Sequence, residues 1–151
     1  MEYTNRGNIN RGYMKLEVWN DAMSLLQLVN RTLQQMEKTD FKLRSQILDA
    51  TQSVSANIAE GYCRRSINEY LYFLNVALGS LGELMTRLIG LKSIGAVPIE
   101  LFDRFDAFHW RVENKLLALI RSLQEKRKEG TWEEELREST EPYNPLRAPS
   151  A

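Results

Sequence analysis

Hydrophobic residues recur every three or four positions from Leu16 to Leu123, which is the spacing of the buried face of an α-helix. The polar segment 37–40 is the first interruption of this spacing, and either Thr39 or Asp40 can cap the helix that follows. No stretch of the chain has the alternating pattern of a half-buried strand. The pattern therefore predicts an all-α protein.

Two further breaks divide the rest of the hydrophobic pattern into three helices. Ser66 and Glu69 have the spacing of a capping box, which starts a third helix where the second one ends or kinks. Gly95 can end the third helix, and Pro98 suits the first turn of the fourth. Gly130 closes the fourth helix. Four helices of about 20 to 30 residues with short connections predict an antiparallel up-down-up-down four-helix bundle.

The segments on either side of the bundle have a different composition. Residues 1–14 lack helical periodicity and are predicted to be a flexible arm, whereas residues 15–128 are predicted to form the bundle. Residues 129–151 are an acidic tail that holds three of the four prolines, so its end is predicted to be extended. A second capping box predicts a short helix near residues 132–138 within this tail.

Trp132 and Leu136 lie on the predicted short helix, and they have three interpretations. They dock on a basic surface of the same or a neighbouring subunit, they recruit another protein, or they belong to an unfolded extension. The sequence pattern leaves these interpretations open.

Helix three carries two apolar seams, which indicates two packing neighbours, and helix four also carries a second seam. Gly79, Gly82 and Gly90 of helix three each cost about 1 kcal/mol relative to alanine inside a helix. Close packing against another helix is the expected compensation. The extra seams predict that the protein assembles as a homo-oligomer.

Several residues on the core stripes are predicted to have structural roles. Asn57 falls on the core stripe of helix two, where a satisfied amide can fix register and oligomeric state, and contact with a ligand or partner is the alternative. Glu60 has the spacing of an i, i+4 ion pair with Arg64. His109 falls on the core stripe of helix four, as a hydrogen-bonded core or interface histidine. The other predicted structural positions are Trp19, Gly61, Gly79 and Gly82.

The chain offers little material for catalysis. Cys63 and His109 are its only cysteine and histidine, so an intrachain disulfide, a cysteine zinc cluster and a nucleophilic triad have no starting material. Asp106 and His109 have the spacing found in di-iron bundles, but such sites need this motif from each of two helices. The cations Arg64 and Arg65 could activate the Cys63 thiol, although a small residue near a helix junction is the favoured interpretation. We expect no catalytic residue, no metal and no cofactor.

The composition predicts a soluble protein of the cytoplasm. No stretch approaches the roughly 18 apolar residues of a membrane span, so no membrane partner is expected. A single cysteine is typical of a reducing compartment. Residues 1–15 lack the apolar segment of a signal peptide.

The net charge of zero is the sum of two unlike parts. Residues 1–128 hold 18 basic and 14 acidic residues, a net charge of +4, whereas residues 129–151 hold two basic and six acidic residues, a net charge of −4. Seven basic residues are candidates for contacts with nucleic-acid phosphates: Arg44, Arg64, Arg65, Arg104, Arg111, Lys115 and Arg121. The alternative is an ordinary solvated helix face, because acidic residues are interspersed on helix four.

Two motifs resemble those of a known family. Residues 16–19, Leu-Glu-Val-Trp, are similar to its opening Leu-x-Val-Trp motif, and residues 55–62, Ser-Ala-Asn-Ile-Ala-Glu-Gly-Tyr, are similar to its Ser-x-Asn-Ile-Ala-Glu-Gly-Phe signature. The pattern continues at Arg64-Arg65-Ser66, Glu69-Tyr70, Phe73-Leu74 and residues 77–84. Over residues 15–125 the chain thus resembles the bacterial four-helix-bundle proteins first described as products of intervening sequences in large-subunit ribosomal RNA genes.

This resemblance implies a cytoplasmic pentamer without enzymatic activity that associates with RNA. A related bundle, the accessory variability protein of diversity-generating retroelements, is also pentameric and binds a reverse transcriptase and nucleic acid. We therefore predict an oligomeric, non-enzymatic bundle that binds nucleic acid, with RNA as the expected partner. The alternatives are an accessory subunit of a reverse transcriptase and a protein-interaction adaptor that does not bind nucleic acid.

Overall fold

The computed structural model describes residues 7–36 and 40–132, and these residues contain helices and no strands. A 3-10 helix, Ile9–Lys15, comes first. Four long helices follow: α1 (Glu17–Gln35), α2 (Phe41–Arg64), α3 (Ile67–Ser93) and α4 (Ile99–Glu129). The all-α prediction is confirmed, and the helices lie where the hydrophobic spacing predicted them.

Each long helix contacts its neighbours in the chain, and α1 also contacts α4. In the pairs α2–α3 and α3–α4 the start of one helix lies beside the end of the other. Along α1 and α4, later residues of α1 contact earlier residues of α4, so neighbouring helices run in opposite directions. The contacts that establish this are Gln46–Arg87 and Gly61–Phe73 between α2 and α3, Asn68–Arg127 and Lys92–Phe102 between α3 and α4, and Glu17–Lys115 and Asp21–Arg111 between α1 and α4. The arrangement is an antiparallel four-helix bundle.

The core runs along the centre of the bundle and receives apolar side chains from every long helix. Leu25, Ile47, Leu81 and Phe105 are fully buried representatives from α1, α2, α3 and α4. Because each helix places its apolar residues three or four positions apart, a single stripe of each one enters this shared core. Burial of these stripes is the main force that holds the bundle together.

The helix ends follow the local signals in the sequence. The Ser66 hydroxyl oxygen accepts a hydrogen bond from the Glu69 backbone N–H at 3.4 Å, so one half of the predicted capping box is present. Gly95 and Gly130, with φ of +69° and +68°, adopt the left-handed conformation just past α3 and α4. Asp40 immediately precedes α2, but its side chain makes no cap hydrogen bond.

The chain before α1 differs from the prediction. Instead of a flexible arm through residue 14, the segment Ile9–Lys15 is a 3-10 helix that packs against α1 and α2. A 3-10 helix has three residues per turn and is short, so it lacks the 3.6-residue periodicity on which the prediction relied. Residues 1–6, and Thr39 as the alternative cap of α2, lie outside the described residues.

The prediction that Gly79, Gly82 and Gly90 allow close helix packing is wrong within this chain. All three are exposed on α3, and a Cβ atom added to any of them would meet no atom of the described residues within 4 Å. The close approach occurs at Gly61 instead, where an added Cβ would lie 2.9 Å from the Phe73 Cβ. The sequence gives the number of apolar seams on a helix, but not which seam faces another helix of the same chain.

Asn57 is half-buried at the boundary between α2 and α3, so its predicted place on the core stripe is also wrong. Its amide donates to the Ser53 carbonyl at 2.7 Å and to the Ser53 hydroxyl at 2.9 Å. The Ser53 and Ser80 hydroxyl oxygens are 2.8 Å apart, which links this network to α3. Asn57 thus supports a polar contact between two helices.

His109 is buried on the core stripe of α4, as its position predicted. Its Nε2 lies 2.7 Å from the Leu81 carbonyl oxygen of α3, and because a carbonyl only accepts, Nε2 carries the donated proton. Its Nδ1 lies 3.6 Å from a carboxylate oxygen of Glu113. Asp106 is exposed, so it does not share the environment of this imidazole.

Candidate nucleic-acid interface

The seven predicted basic residues lie in different parts of the bundle. Arg64 and Arg65 lie at the α2–α3 turn, Arg104 and Arg111 line a groove between α1 and α4, and Lys115 follows one turn further along α4. Arg44 is half-buried near the start of α2, and Arg121 is exposed on α4. The structure therefore offers two cationic regions, one at the turn and one at the groove.

Lys115 and Arg111 are engaged in ion pairs that join α4 to α1. Lys115 Nζ lies 2.6 Å from Asp21 Oδ2 and 3.4 Å from Glu17 Oε2, and Arg111 Nε lies 3.2 Å from Asp21 Oδ2. The hydrogen bond that Lys115 donates to Asp21 raises the pKa of Lys115. These two cations hold helices together, and their positive charge is partly balanced within the chain.

The groove between α1 and α4 has a cationic rim and an apolar floor. Arg31 of α1 and the two predicted arginines of α4 surround a space of about 510 Å³. Leu28, Ala107 and Phe108 supply the apolar lining, and Ser24 completes it. The groove thus combines positive charge with a surface on which a flat apolar group can rest.

Two of the three groove arginines, Arg31 and Arg104, have no carboxylate within ion-pair distance among residues 7–36 and 40–132. Sequence reasoning missed Arg31. It lies three residues after Leu28 and seven after Ser24, so one face of α1 carries all of them toward the groove. That spacing could have found it, but only once the neighbour of this face was known.

At the α2–α3 turn, Arg64 makes the i, i+4 ion pair that its spacing predicted. Its guanidinium lies 3.0 Å from Glu60 and 3.6 Å from Glu69, and it also lies over the Phe73 ring, 5.2 Å from its centroid. The hydrogen bond with Glu60 raises the pKa of Arg64. Two carboxylates therefore offset most of the charge that this residue could offer to a phosphate.

Arg65 is the most constrained residue of the turn. Its φ of +64° is left-handed, which is uncommon for a residue other than glycine. Its carbonyl accepts a hydrogen bond from the Trp132 indole N–H at 2.8 Å, and its guanidinium lies over the Tyr62 ring at 5.6 Å. Its Nε is buried and has no hydrogen-bond partner in the described part of the chain. The turn is thus held by Trp132, which lies three residues after the end of α4.

Five aromatic rings in successive contact, called here the aromatic chain, cover the end of the bundle that carries the α2–α3 turn. The rings follow one another in the order Trp19, Tyr13, Tyr62, Tyr70 and Trp132, with centroid distances of 5.4, 6.1, 6.0 and 5.9 Å. Burial raises the pKa of Tyr70. The aromatic chain connects the 3-10 helix, α1, α2, α3 and the residues after α4 at a single end of the bundle.

Trp132 therefore docks on the bundle of its own chain, which is one of the interpretations that the sequence left open. Leu136, and the rest of the predicted short helix after Trp132, lie outside the described residues.

Cys63 lies beside the same turn, where its thiol is 3.4 Å from the Asn10 carbonyl oxygen. Burial raises the pKa of the Cys63 thiol, and this outweighs the opposite effect of Arg65. A raised pKa is the reverse of what an activated nucleophile needs. The described residues contain no group of three or more His, Cys, Asp or Glu side chains placed to hold a metal ion.

The outer face of α3 is a further surface feature, in addition to the two cationic regions. Tyr72 and Ile89 are exposed there by 63% and 50%, and Gly79 and Gly82 lie between them. On α4, Trp110 is 67% exposed. Among the described residues, no helix has the combined length and hydropathy of a membrane span.

Two comparisons with known proteins bear on this arrangement. The sequence model of the family described as "23S rRNA-intervening sequence protein" matches residues 14–118, which include α1, α2, α3 and most of α4. A search of curated proteins found no matching relative.

Proposed function

Since the chain belongs to the 23S rRNA-intervening sequence protein family, we propose that it is a non-enzymatic, homo-oligomeric bundle that binds RNA. The observation that carries RNA binding is the groove between α1 and α4, where Arg31 and Arg104 face solvent without a carboxylate partner in the described residues. RNA is proposed as the nucleic acid because the resemblance to this family implies association with RNA.

Arginine suits this task because its planar guanidinium donates two parallel hydrogen bonds to a phosphate. An arginine already paired with a carboxylate must give up that pair first. Arg31 and Arg104 avoid this cost, whereas Lys115 and Arg64 incur it. The groove is therefore a better phosphate site than the α2–α3 turn.

The test is a titration of labelled RNA by fluorescence anisotropy at several salt concentrations. Each phosphate contact with a single strand contributes about −0.7 to the slope of log K against log salt. The double variant R31A/R104A is expected to lower the magnitude of the slope by about 1.4, since it removes two contacts.

The matched control is R44A/R121A, which removes the same charge at two predicted cations outside the groove. It should change the slope by much less than the groove variant. Equal losses in the two double variants would show that RNA responds only to total charge, and the groove would then not be the binding site.

Assembly into a homo-oligomer is the second part of the proposal, and the outer face of α3 supports it. Three exposed helix-interior glycines there cost about 1 kcal/mol each, and no contact among residues 7–36 and 40–132 compensates for them. Tyr72 and Ile89 add exposed apolar surface to the same face. Packing against another copy would bury both features, and we propose a pentamer.

Light scattering measures the assembly directly. A pentamer has five times the 17.5 kDa mass of one chain. Tyr72→Glu on the proposed interface should reduce the mass, whereas Trp110→Glu on α4 should leave it unchanged. A monomer at micromolar concentration would contradict the assembly proposal and would leave the RNA proposal to its own test.

The same α3 face also favours a second candidate function, an accessory subunit that docks on another protein such as a reverse transcriptase. Exposed aromatic and aliphatic side chains are typical of a protein contact surface. Co-purification with a reverse transcriptase encoded nearby, lost in Tyr72→Glu while RNA affinity is retained, would support this role over an RNA-binding one. A protein-interaction adaptor without nucleic-acid binding would show the docking and no RNA affinity.

A further inference from the structure

The groove between α1 and α4 contains more than a phosphate site requires. Leu28, Ala107 and Phe108 form an apolar floor between the arginines. A double helix presents its sugars and phosphates outward and keeps its bases stacked inside, so it has no apolar face to place on such a floor. An unpaired base has one.

The geometry of Arg111 fits the same ligand. Its guanidinium lies 5.6 Å from the centroid of the Phe108 ring, and its Nε lies 3.2 Å from Asp21. The carboxylate and the ring thus fix the orientation of this planar group before any ligand arrives. A base can pack against a fixed guanidinium plane, whereas a phosphate does not require one.

The positions of Arg31 and Arg104 on two different helices are consistent with the binding of one nucleotide. Arg31 comes from α1 and Arg104 from α4, so unpaired cations lie on both walls. The volume of about 510 Å³ falls within the range of about 300 to 1,000 Å³ typical of small-ligand sites. A space of this volume is large enough for one base with its flanking phosphates.

We infer that this groove binds an unpaired nucleotide of single-stranded RNA, with the base on the Leu28, Ala107 and Phe108 floor and the flanking phosphates on Arg31 and Arg104. This inference rests on the proposed function and adds the structural class of the RNA. The protein should therefore prefer single strands, loops or frayed ends over continuous double helix.

Ala107→Leu tests the floor without changing any charge. Ala107 is exposed and lines this groove, so a leucine fills the place of the base. Ala118→Leu is the matched control, because Ala118 is also exposed on α4 and lines a neighbouring groove between the same two helices. Both alanines and both leucines are good helix formers, and thermal melts will verify that each variant folds.

The probes are labelled oligoadenylate as the single strand and the same strand annealed to oligouridylate as the duplex. Wild-type protein is expected to bind the single strand at least tenfold more tightly. Ala107→Leu should weaken single-strand binding about tenfold, which is within the range for the loss of one stacked base, and Ala118→Leu should change it less than about twofold. Adenosine monophosphate in excess should compete for the single strand.

The outcomes separate this inference from the proposed function. If duplex binds as tightly as the single strand and Ala107→Leu has no effect, while R31A/R104A still loses affinity, the inference fails and the proposed function stands. If neither RNA binds, the proposed function fails. Equal losses in both leucine variants, or competition by an acidic peptide but not by adenosine monophosphate, also overturn the inference.

Discussion

Replacing Gly61 by alanine tests the close approach of α2 and α3. The added Cβ would lie 2.9 Å from the Phe73 Cβ, 3.0 Å from the Tyr70 ring and 3.2 Å from the Tyr70 carbonyl oxygen. One of these neighbours is backbone, so the helices must separate or a side chain must leave its preferred rotamer. Overpacking of this kind costs about 1 to 3 kcal/mol, and the better helix propensity of alanine returns about 1 kcal/mol.

Gly79→Ala is the control, because Gly79 is also helix-interior but an added Cβ there meets no atom within 4 Å in the described part of the chain. In the isolated chain this substitution should stabilise the fold by about 1 kcal/mol. The propensity gain is common to both variants, so the difference between them, about 1 to 3 kcal/mol, isolates the clash at Gly61.

Urea unfolding followed by circular dichroism at one protein concentration measures both variants, with stability read from the midpoint at constant m-value. If Gly61→Ala is as stable as Gly79→Ala, the reasoning about close approach is refuted. If Gly79→Ala instead destabilises the protein and lowers its mass in light scattering, this glycine packs against another copy, as the proposed assembly requires.

The remaining predictions concern polar contacts at the two sides of the bundle. Asp21→Asn should cost about 1 kcal/mol, since it weakens a half-exposed network. The bond to Asp21 raises the Lys115 pKa above its ordinary value of 10.5. The stability that this bond contributes is therefore fully present below pH 10.5 and is lost as the pH rises through the folded-state pKa. The free energy of unfolding of Asp21→Asn should not show this loss at alkaline pH. A pH dependence identical to that of the wild-type protein would contradict the assignment. Trp132→Phe removes the N–H that the Arg65 carbonyl accepts and should cost about 1 kcal/mol in urea unfolding, an effect that a merely exposed tryptophan would not give. Truncation after Lys128 removes a segment of net charge −4 and should raise RNA affinity at low salt. Unchanged affinity would show that the acidic tail does not compete for the cationic surface.

The helices of this protein could be predicted because their signals are local. The spacing of apolar residues depends only on the helical repeat, and Ser66, Gly95 and Gly130 act within one turn of the ends that they define. The 3-10 helix lacked such a signal. The packing of the 3-10 helix against α2 depends on Gly12, where an added Cβ would collide with the Tyr62 side chain. This contact joins residues 50 positions apart in the chain.

The cationic site could be predicted only in part, because pairing of charges is not local. Arg111 and Lys115 share a helix face with Arg104, but their partner Asp21 is about 90 residues away in the chain. Nothing in the sequence pattern indicates that this carboxylate engages two of the predicted phosphate ligands. Arg31 was missed for the same reason, since only the packing of α1 on α4 brings it to the groove.

The aromatic chain at the α2–α3 turn makes the two ends of the bundle unlike, because the 3-10 helix and Trp132 both cover the same one. In a cyclic ring all copies point the same way, so such an assembly would be polar, with every turn of this kind on one face. A dihedral assembly would present the turn on two opposite faces. Cys63 is exposed at this end and is the only cysteine of the chain, so a label attached to it would distinguish the two symmetries.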